Sequence, residues 1–377
     1  MAMILLFLAM ACAILFLHPY IFYPLSLRWF RERPVRVDPH RPLPEATLMF
    51  SAYNEERALP AKIANLREIK ARFPRIEILA YSDCSSDDTL SHLLAEPDLL
   101  RVVPSVERTG KATGMRKMAA EAKGEILICT DANVLLDPAS IEPLLRRFSD
   151  ADVGGVAGAL HYVNEDASTT ARVGGLYWRL EEALKQRESR VGSIMGADGS
   201  IFAIRKALYP QVPPHLLDDM TASMSVTFQG QRLIHADDVA AYEKNATSGA
   251  DEFRRKRRIA CRSFNTHRYL WPQIWRHYGA ADIYKYVSHK LLRWLGLVPL
   301  VAGALSGTAG LVLAGYPALA AAGGALAALA LALGRMGAPL FGGVYQITLS
   351  IVATFLGVID SLAGKTYQTW TPAQSRD

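Results

Sequence analysis

Glu125-Ile126-Leu127-Ile128-Cys129-Thr130-Asp131-Ala132-Asn133 is a short apolar run that stops at an oxygen-rich turn. An unbroken aliphatic stretch of this length, closed by turn residues, reads as a strand buried on both faces. Working outward, similar β-rich runs occur at 47–50, 76–81 and 101–103, and helical patterns follow at 58–69, 89–94 and 111–122. Strands alternating with helices predict a mostly parallel α/β sheet, whose ligands bind beyond the carboxyl ends of the strands. The polar residues at those ends are therefore the candidates for chemistry.

The run at 125–129 leads into Asp131-Ala132-Asn133, a close-spaced oxygen pair suited to a divalent cation bridging to phosphates. Asp-x-Asn is also a common turn sequence. The first strand runs into Ser51-Ala52-Tyr53-Asn54-Glu55-Glu56 and the second into Ser82-Asp83-Cys84-Ser85-Ser86-Asp87-Asp88-Thr89. Asp87 and Asp88 read equally as helix N-caps or as ligand groups, whereas Asp83, nearer the strand end, is placed to accept hydrogen bonds from a nucleobase or ribose. Arg108-Thr109-Gly110-Lys111 opens a helix, where backbone N–H groups and a lysine can meet an anion.

Downstream, 192–205 holds two short apolar stretches around a glycine-rich turn that includes Asp198 and Gly199, the pattern of a hairpin. Leu217-Asp218-Asp219-Met220 starts a helical run; the pair suits the positive end of a helix dipole, and either carboxylate at a pocket can serve as a general base. The segment 252–262, with Arg254, Arg255, Arg257, Arg258 and Arg262, reads as a basic helix open to solvent, lipid headgroups or phosphate.

The 377 residues carry 42 Lys+Arg against 36 Asp+Glu, a net charge of +6, with half of all residues hydrophobic. A mean hydropathy of +0.10 excludes a disordered chain and fits a protein that is part soluble, part membrane. The basic excess comes without aromatic-basic interleaving, so no nucleic-acid partner is expected. Cys12, Cys84, Cys129 and Cys261 are scattered and read as reduced thiols.

Residues 3–27 are almost wholly apolar and long enough to cross a bilayer. No basic n-region precedes them and no small-residue cleavage site follows, which favours an anchor over a signal peptide. A second apolar region, rich in Ala and Gly, holds three spans, at 292–314, 316–333 and 340–362. Arg28, Arg31, Arg33, Arg36 and the cluster at 254–258 put the middle of the chain on the cytoplasmic side. The expected organisation is an anchor over 1–28, an α/β domain over 37–270, amphipathic interfacial helices over 271–290, about three membrane helices over 291–363 and a tail over 364–377. Four crossings put that tail on the far side of the membrane; a re-entrant or in-plane segment reverses this.

The ordered succession Ala52-Tyr53-Asn54-Glu55, Asp83 to Thr89, Gly110-Lys111, Asp131-Ala132-Asn133, Gly196-Ala197-Asp198-Gly199 and Asp218-Asp219 resembles the family 2 inverting glycosyltransferases. The likeness is to their membrane-anchored branch of cellulose, hyaluronan and poly-N-acetylglucosamine synthases. The resemblance implies a GT-A fold, Rossmann-like, with a cytoplasmic domain and transmembrane helices at both ends. It implies a nucleotide-diphosphate sugar donor, UDP-linked by expectation, bound by Ala52, Asn54, Glu55, Asp83, Lys111 and Asp131. Mg²⁺ or Mn²⁺ would sit at Asp131 and Asn133, the acceptor at Asp198, Gly199 and Arg255, and catalysis at Asp219, Asp218 and Arg258. The implied acceptor is lipid-linked or a polysaccharide, the setting the bacterial inner membrane, with membrane lipid and either partner subunits or further copies of the chain as associates.

Three departures from the family pattern stand out. Asn133 replaces the second carboxylate of Asp-x-Asp, and Gly114-Met115-Arg116 follows Gly110-Lys111 where Ala-Leu-Asn is usual. Arg255-Lys256-Arg257-Arg258-Ile259 stands where Gln-x-x-Arg-Trp is usual, so the aromatic that would stack on an acceptor sugar is missing. A non-catalytic or partner-dependent synthase subunit is the alternative that Asn133 and Ile259 raise.

Overall fold

The computed structural model describes residues 1–369. Eight strands form one sheet: β1 (Ala46–Ala52), β2 (Glu77–Ser82), β3 (Arg101–Pro104), β4 (Ile126–Asp131), β5 (Leu135–Leu136), β6 (Val153–Tyr162), β7 (Ile201–Arg205) and β8 (Arg232–Glu243). Their order is β3-β2-β1-β4-β7-β6-β8-β5. Strands β3, β2, β1 and β4 are parallel neighbours; β7 runs antiparallel between β4 and β6, and β6 pairs parallel with β8. The fold is thus built on one mixed α/β sheet, parallel from β3 to β4 and antiparallel on both sides of β7.

Strand periodicity sorts the core into two layers. Leu48, Phe50, Ile78, Ala80, Ile126 and Ile128 face one side, where they meet the helix Leu59–Arg72 through Leu59, Ile63, Leu66 and Ile69. The intervening Met49, Leu79, Tyr81, Leu127 and Cys129 face the other, against Ala112, Met115 and Met118 of the helix Lys111–Glu121 and Ala222 and Val226 of the helix Asp218–Phe228. Because the period is two, one register fixes both layers. It also brings Ala52, Ser82 and Asp131 to one edge of the sheet, since Ser51 pairs with Asp131 and Ala52 with Ser82.

One expectation changes. The hairpin over 192–205 does not form: only Ile201–Arg205 is a strand, and it pairs with β4 and β6 instead of folding back on 192–200. The glycine-rich stretch before it is irregular and is held by contacts such as Ala197 N–H to Ser223 Oγ at 2.9 Å.

Among the described residues three helices are long and apolar enough to cross a membrane: Ala2–Trp29, Pro317–Arg335 and Leu340–Leu362. A pair bent by 68°, Ala280–Trp294 with Leu297–Leu313, has the length and composition of a broken fourth span or of a re-entrant loop. The first helix packs on Leu297–Leu313 through glycines: a Cβ at Gly303 would lie 3.0 Å from Cys12 and one at Gly310 2.9 Å from Leu6. The last helix instead lies along Gly249–His277, where a Cβ at Gly357 would meet Arg257 O at 2.4 Å and Ala260 at 2.6 Å. Arg257 clasps Asp360 with two bonds, of 2.6 and 2.9 Å. Of the tail expected at 364–377, residues from 370 on lie outside the described residues.

Candidate active site

The loops beyond β1 and β2 are knitted to each other. Asn54 adopts a left-handed φ of 53°, and its side chain accepts from Ser86 N–H at 2.9 Å while donating to Ser86 Oγ at 3.1 Å. Glu55 N–H donates to Thr89 Oγ1 at 2.8 Å. Asp83, 3% exposed, accepts from the backbone N–H of Thr109 (2.7 Å) and of Gly110 (3.0 Å). Its geometry therefore shapes the loop before Lys111, with Gly110 at φ 87°. The Arg108 guanidinium stacks on Tyr53 at 3.5 Å. These groups border a small hollow of about 60 Å³ lined by Tyr53, Glu55, Asp83, Arg108, Gly110 and Lys111.

Next to it opens a cleft of about 810 Å³. Here β4 ends at Asp131, whose Oδ1 is 2.6 Å from Lys111 Nζ; the same ammonium is 3.5 Å from Asp218 Oδ2. Lys111, Asp131 and the next carboxylate, Asp219, converge on Gly199: a Cβ there would lie 2.9 Å from Lys111 Nζ, 3.2 Å from Asp219 Oδ2 and 3.3 Å from Asp131 Oδ2. A side chain at 199 would thus occupy the space where the three charged groups meet. Burial opposes the Lys111 charge, but Asp131, Asp218 and Asp219 outweigh it and hold the ammonium well above the ordinary lysine range. Burial, reinforced by the Asp218 charge and partly offset by Lys111, pushes the Asp219 carboxyl up to about 7. A carboxylate of that basicity is suited to taking a proton near neutral pH.

The cleft's other wall is the helix Gly249–His277, which presents Arg254, Arg255, Arg257, Arg258 and Arg262, with Ile259 among them. Arg255 pairs with Glu252 at 2.8 Å and Arg262 is buried against Leu216 O. Asp198 binds Lys185 Nζ at 2.6 Å, and burial is outweighed by that ammonium, which keeps its carboxyl below the usual range.

The fold also brings to the cleft residues that the sequence reading did not single out. Glu243, at the end of β8, accepts from Asn133 Nδ2 at 3.0 Å, so a carboxylate stands beside the neutral residue of Asp-x-Asn. Trp178 and Tyr162 line the cleft, and Tyr367 and Thr369 of the tail also reach it. Gln368 Nε2 donates to Thr109 O at 3.1 Å. No local signal marks these positions, because each meets the site from more than a hundred residues away or from a segment with no motif.

No group of three or more His, Cys, Asp or Glu among the described residues is set to hold a metal alone. Asp131, with one oxygen on Lys111 and the other near Gly199, and Glu243 next to Asn133 make a sparse oxygen set. That set fits a hard cation that arrives with a diphosphate and takes most of its ligands from phosphate and water.

Residues 47–212 match the family model described as Glycosyl transferase family 2. No curated protein matches the chain. Among solved structures, the mannosyltransferase PcManGT from Pyrobaculum calidifontis, in complex with GDP-Man and Mn²⁺, aligns with a TM-score of 0.72 at 22% identity, over 96% of this chain and 99% of that one. GalNAc-T7 with UDP, GalNAc and Mn²⁺ aligns over 55% of this chain and 45% of its own at 16% identity, with a TM-score of 0.42. The first likeness extends the shared fold to nearly the whole chain, and the family match covers the sheet edge where Asp83, Lys111, Asp131 and Gly199 lie. Residues 47–212 accordingly match a family 2 glycosyltransferase domain, and this match, with the shared fold, supports reading the chain as a glycosyltransferase.

Proposed function

We propose that the chain transfers a sugar from a nucleotide-diphosphate donor to a hydroxyl of a lipid-linked or polysaccharide acceptor, with inversion at the anomeric carbon. The observation that carries this reading is the convergence of Lys111, Asp131 and Asp219 on the open Cα of Gly199. In it, the nucleoside occupies the hollow bounded by Tyr53, Asp83 and Arg108, and the diphosphate lies towards Lys111, Asp131 and Arg258. Asp219 takes the acceptor proton as the acceptor oxygen forms its bond to the anomeric carbon. The bond from that carbon to the diphosphate oxygen breaks, and the diphosphate leaves with the electron pair. One displacement converts an α-linked donor to a β-linked product.

Lys111 and Arg258 offset charge on the departing group from fixed positions, which costs no reorganisation during the reaction. Asp131, with Glu243 beside Asn133, would hold a divalent cation, which when bound would relieve the same charge. Asp218 raises the basicity of Asp219 by like-charge proximity. The domain faces the cytoplasm of a bacterial cell from its inner membrane, where Arg28, Arg31, Arg33 and Arg36 follow the first apolar helix.

The test is nucleotide release from a panel of UDP- and GDP-linked sugars by the detergent-purified protein with Mg²⁺ or Mn²⁺. The panel spans both nucleotides because the similar mannosyltransferase was solved with GDP-Man. One donor should be turned over, and Asp219→Asn should lower the rate by about 10²-fold or more, the scale of a lost general base. Nucleotide binding without release from any donor would leave the chain a non-catalytic subunit.

A further inference from the structure

The helix Gly249–His277 puts Ile259 where an aromatic platform for an acceptor sugar is expected. The same cleft nevertheless contains an indole, carried by another element. Trp178 of the helix Thr169–Val191 lines it, with Tyr162 of β6 set edge-on at 6.1 Å between ring centroids and 67° between planes. Lys185 Nζ lies 4.8 Å from the indole centroid and 2.6 Å from Asp198 Oδ2. Asp198 precedes Gly199, whose Cα faces Asp219. One bridging lysine therefore links the indole to the segment at which transfer takes place.

Two further observations point to a ligand. Trp178 Nε1 is buried and finds no hydrogen-bond acceptor among the described residues, an arrangement that native interiors rarely tolerate without a partner. The hollow bordered by Tyr53 and Arg108 does not include Trp178, so the indole is not at the nucleoside end. Tyr162 is the ring set against it, and the cleft that both line is also bordered by Leu160, Asp198 and Glu243. An aromatic ring in a cleft that also holds carboxylates is the chemistry that recognises a pyranose ring: C–H groups pack on the indole and hydroxyls donate to carboxylate oxygens, here to the lone pair that Asp198 keeps beyond its bonds to Lys185 and Ser200.

We propose that Trp178, with Tyr162 and Asp198, forms an acceptor subsite that binds a saccharide ring, replacing the aromatic lost at Ile259. This rests on the transferase reading above and adds the acceptor's class: it presents a sugar to the cleft, not a bare lipid phosphate. The subsite acts through binding, so its loss belongs in the acceptor KM and leaves the donor KM unmoved.

The experiment uses the full chain in detergent with its best donor. Soluble p-nitrophenyl glycosides of glucose, mannose and N-acetylglucosamine are compared with phytanyl phosphate, which has no sugar ring. At least one glycoside should accelerate nucleotide release, with the acceptor KM raised about tenfold or more in Trp178→Ala and less in Trp178→Phe, the scale of one lost aromatic stack. An unshifted donor KM shows that both variants are folded. Stimulation by phytanyl phosphate and by no glycoside would overturn the subsite, as would an acceptor KM that Trp178→Ala leaves alone while donor turnover persists. Absence of nucleotide release under every condition would sink the transferase reading itself, a distinguishable result.

Discussion

Asp219 owes its basicity to its surroundings and not to its type. An exposed aspartate is ionised far below neutrality, whereas here burial and the adjacent Asp218 hold the carboxyl near 7 against the pull of Lys111. The signs for turnover and for stability are opposite. A base must be deprotonated, so kcat should climb about tenfold per pH unit below 7 and level off above it. A carboxyl whose folded pKa is raised stabilises the fold fully below the ordinary carboxylate range, and that contribution is lost as the pH rises through about 7. A pH profile of kcat with saturating donor, between pH 5.5 and 8.5, reads the first effect. A flat profile would remove Asp219 from the role of base.

Much of this site was legible as an ordered series of strand-end motifs, and the reason is register. Because β1, β2 and β4 are parallel neighbours, polar residues just past each apolar run must share an edge. Trp178 and Glu243 were not legible. Tyr162 was not legible either, and the run that delivers it carries a weak pattern: β6 reads Val153-Gly154-Gly155-Val156-Ala157-Gly158, poor in β-formers. Its glycines answer to packing, since a Cβ at Gly155 would lie 2.7 Å from Leu233 and one at Gly158 2.5 Å from Val239 O. Such demands come from the partner strand and leave no mark on local periodicity.

At the scale of elements, the helix Thr169–Val191 joins the soluble domain to the apolar segments. It buries Glu181, Lys185 and Glu188. His289 sits between two of these, with Nε2 2.8 Å from Glu181 Oε1 and Nδ1 2.8 Å from Glu188 Oε1. Arg293 adds a second bond to Glu181, and Tyr23 of the first apolar segment donates to Glu188. One cluster thus ties three stretches that are far apart in sequence. Removing the central imidazole takes a hydrogen-bond partner from each of two buried glutamates. His289→Ala should therefore cost about 3 kcal/mol or more of unfolding free energy in detergent. Denaturant unfolding checks this, and a loss below about 1 kcal/mol would mean the glutamates find other partners without rearrangement.

For the whole molecule, the described tail constrains how the chain threads the membrane. Asn265 Nδ2 donates to Lys365 O at 2.8 Å and Gln368 Nε2 to Thr109 O at 3.1 Å. A segment bonded to the loop before Lys111 lies on the domain's own side. Were the apolar helices to cross a membrane, an even number of crossings would separate residue 277 from residue 365, although three apolar stretches intervene. Leu297–Leu313 and Pro317–Arg335 make one hairpin; Leu340–Leu362 packs along the arginine-rich helix Gly249–His277 and holds Arg257 through Asp360. Although long and apolar enough to cross, a helix flanked by so basic a neighbour is expected at a membrane surface, where the charged side chains keep contact with water. The exposed positions Tyr316, Met336 and Lys365 discriminate the topologies when each is changed singly to cysteine and probed with a membrane-impermeant maleimide. Exposed Cys84 in the domain serves as the reference. Met336→Cys and Lys365→Cys should label from the same side as Cys84, and Tyr316→Cys from the other. If Met336→Cys labels from the far side while Lys365→Cys stays with Cys84, the last helix crosses and the bent pair before it turns back without crossing.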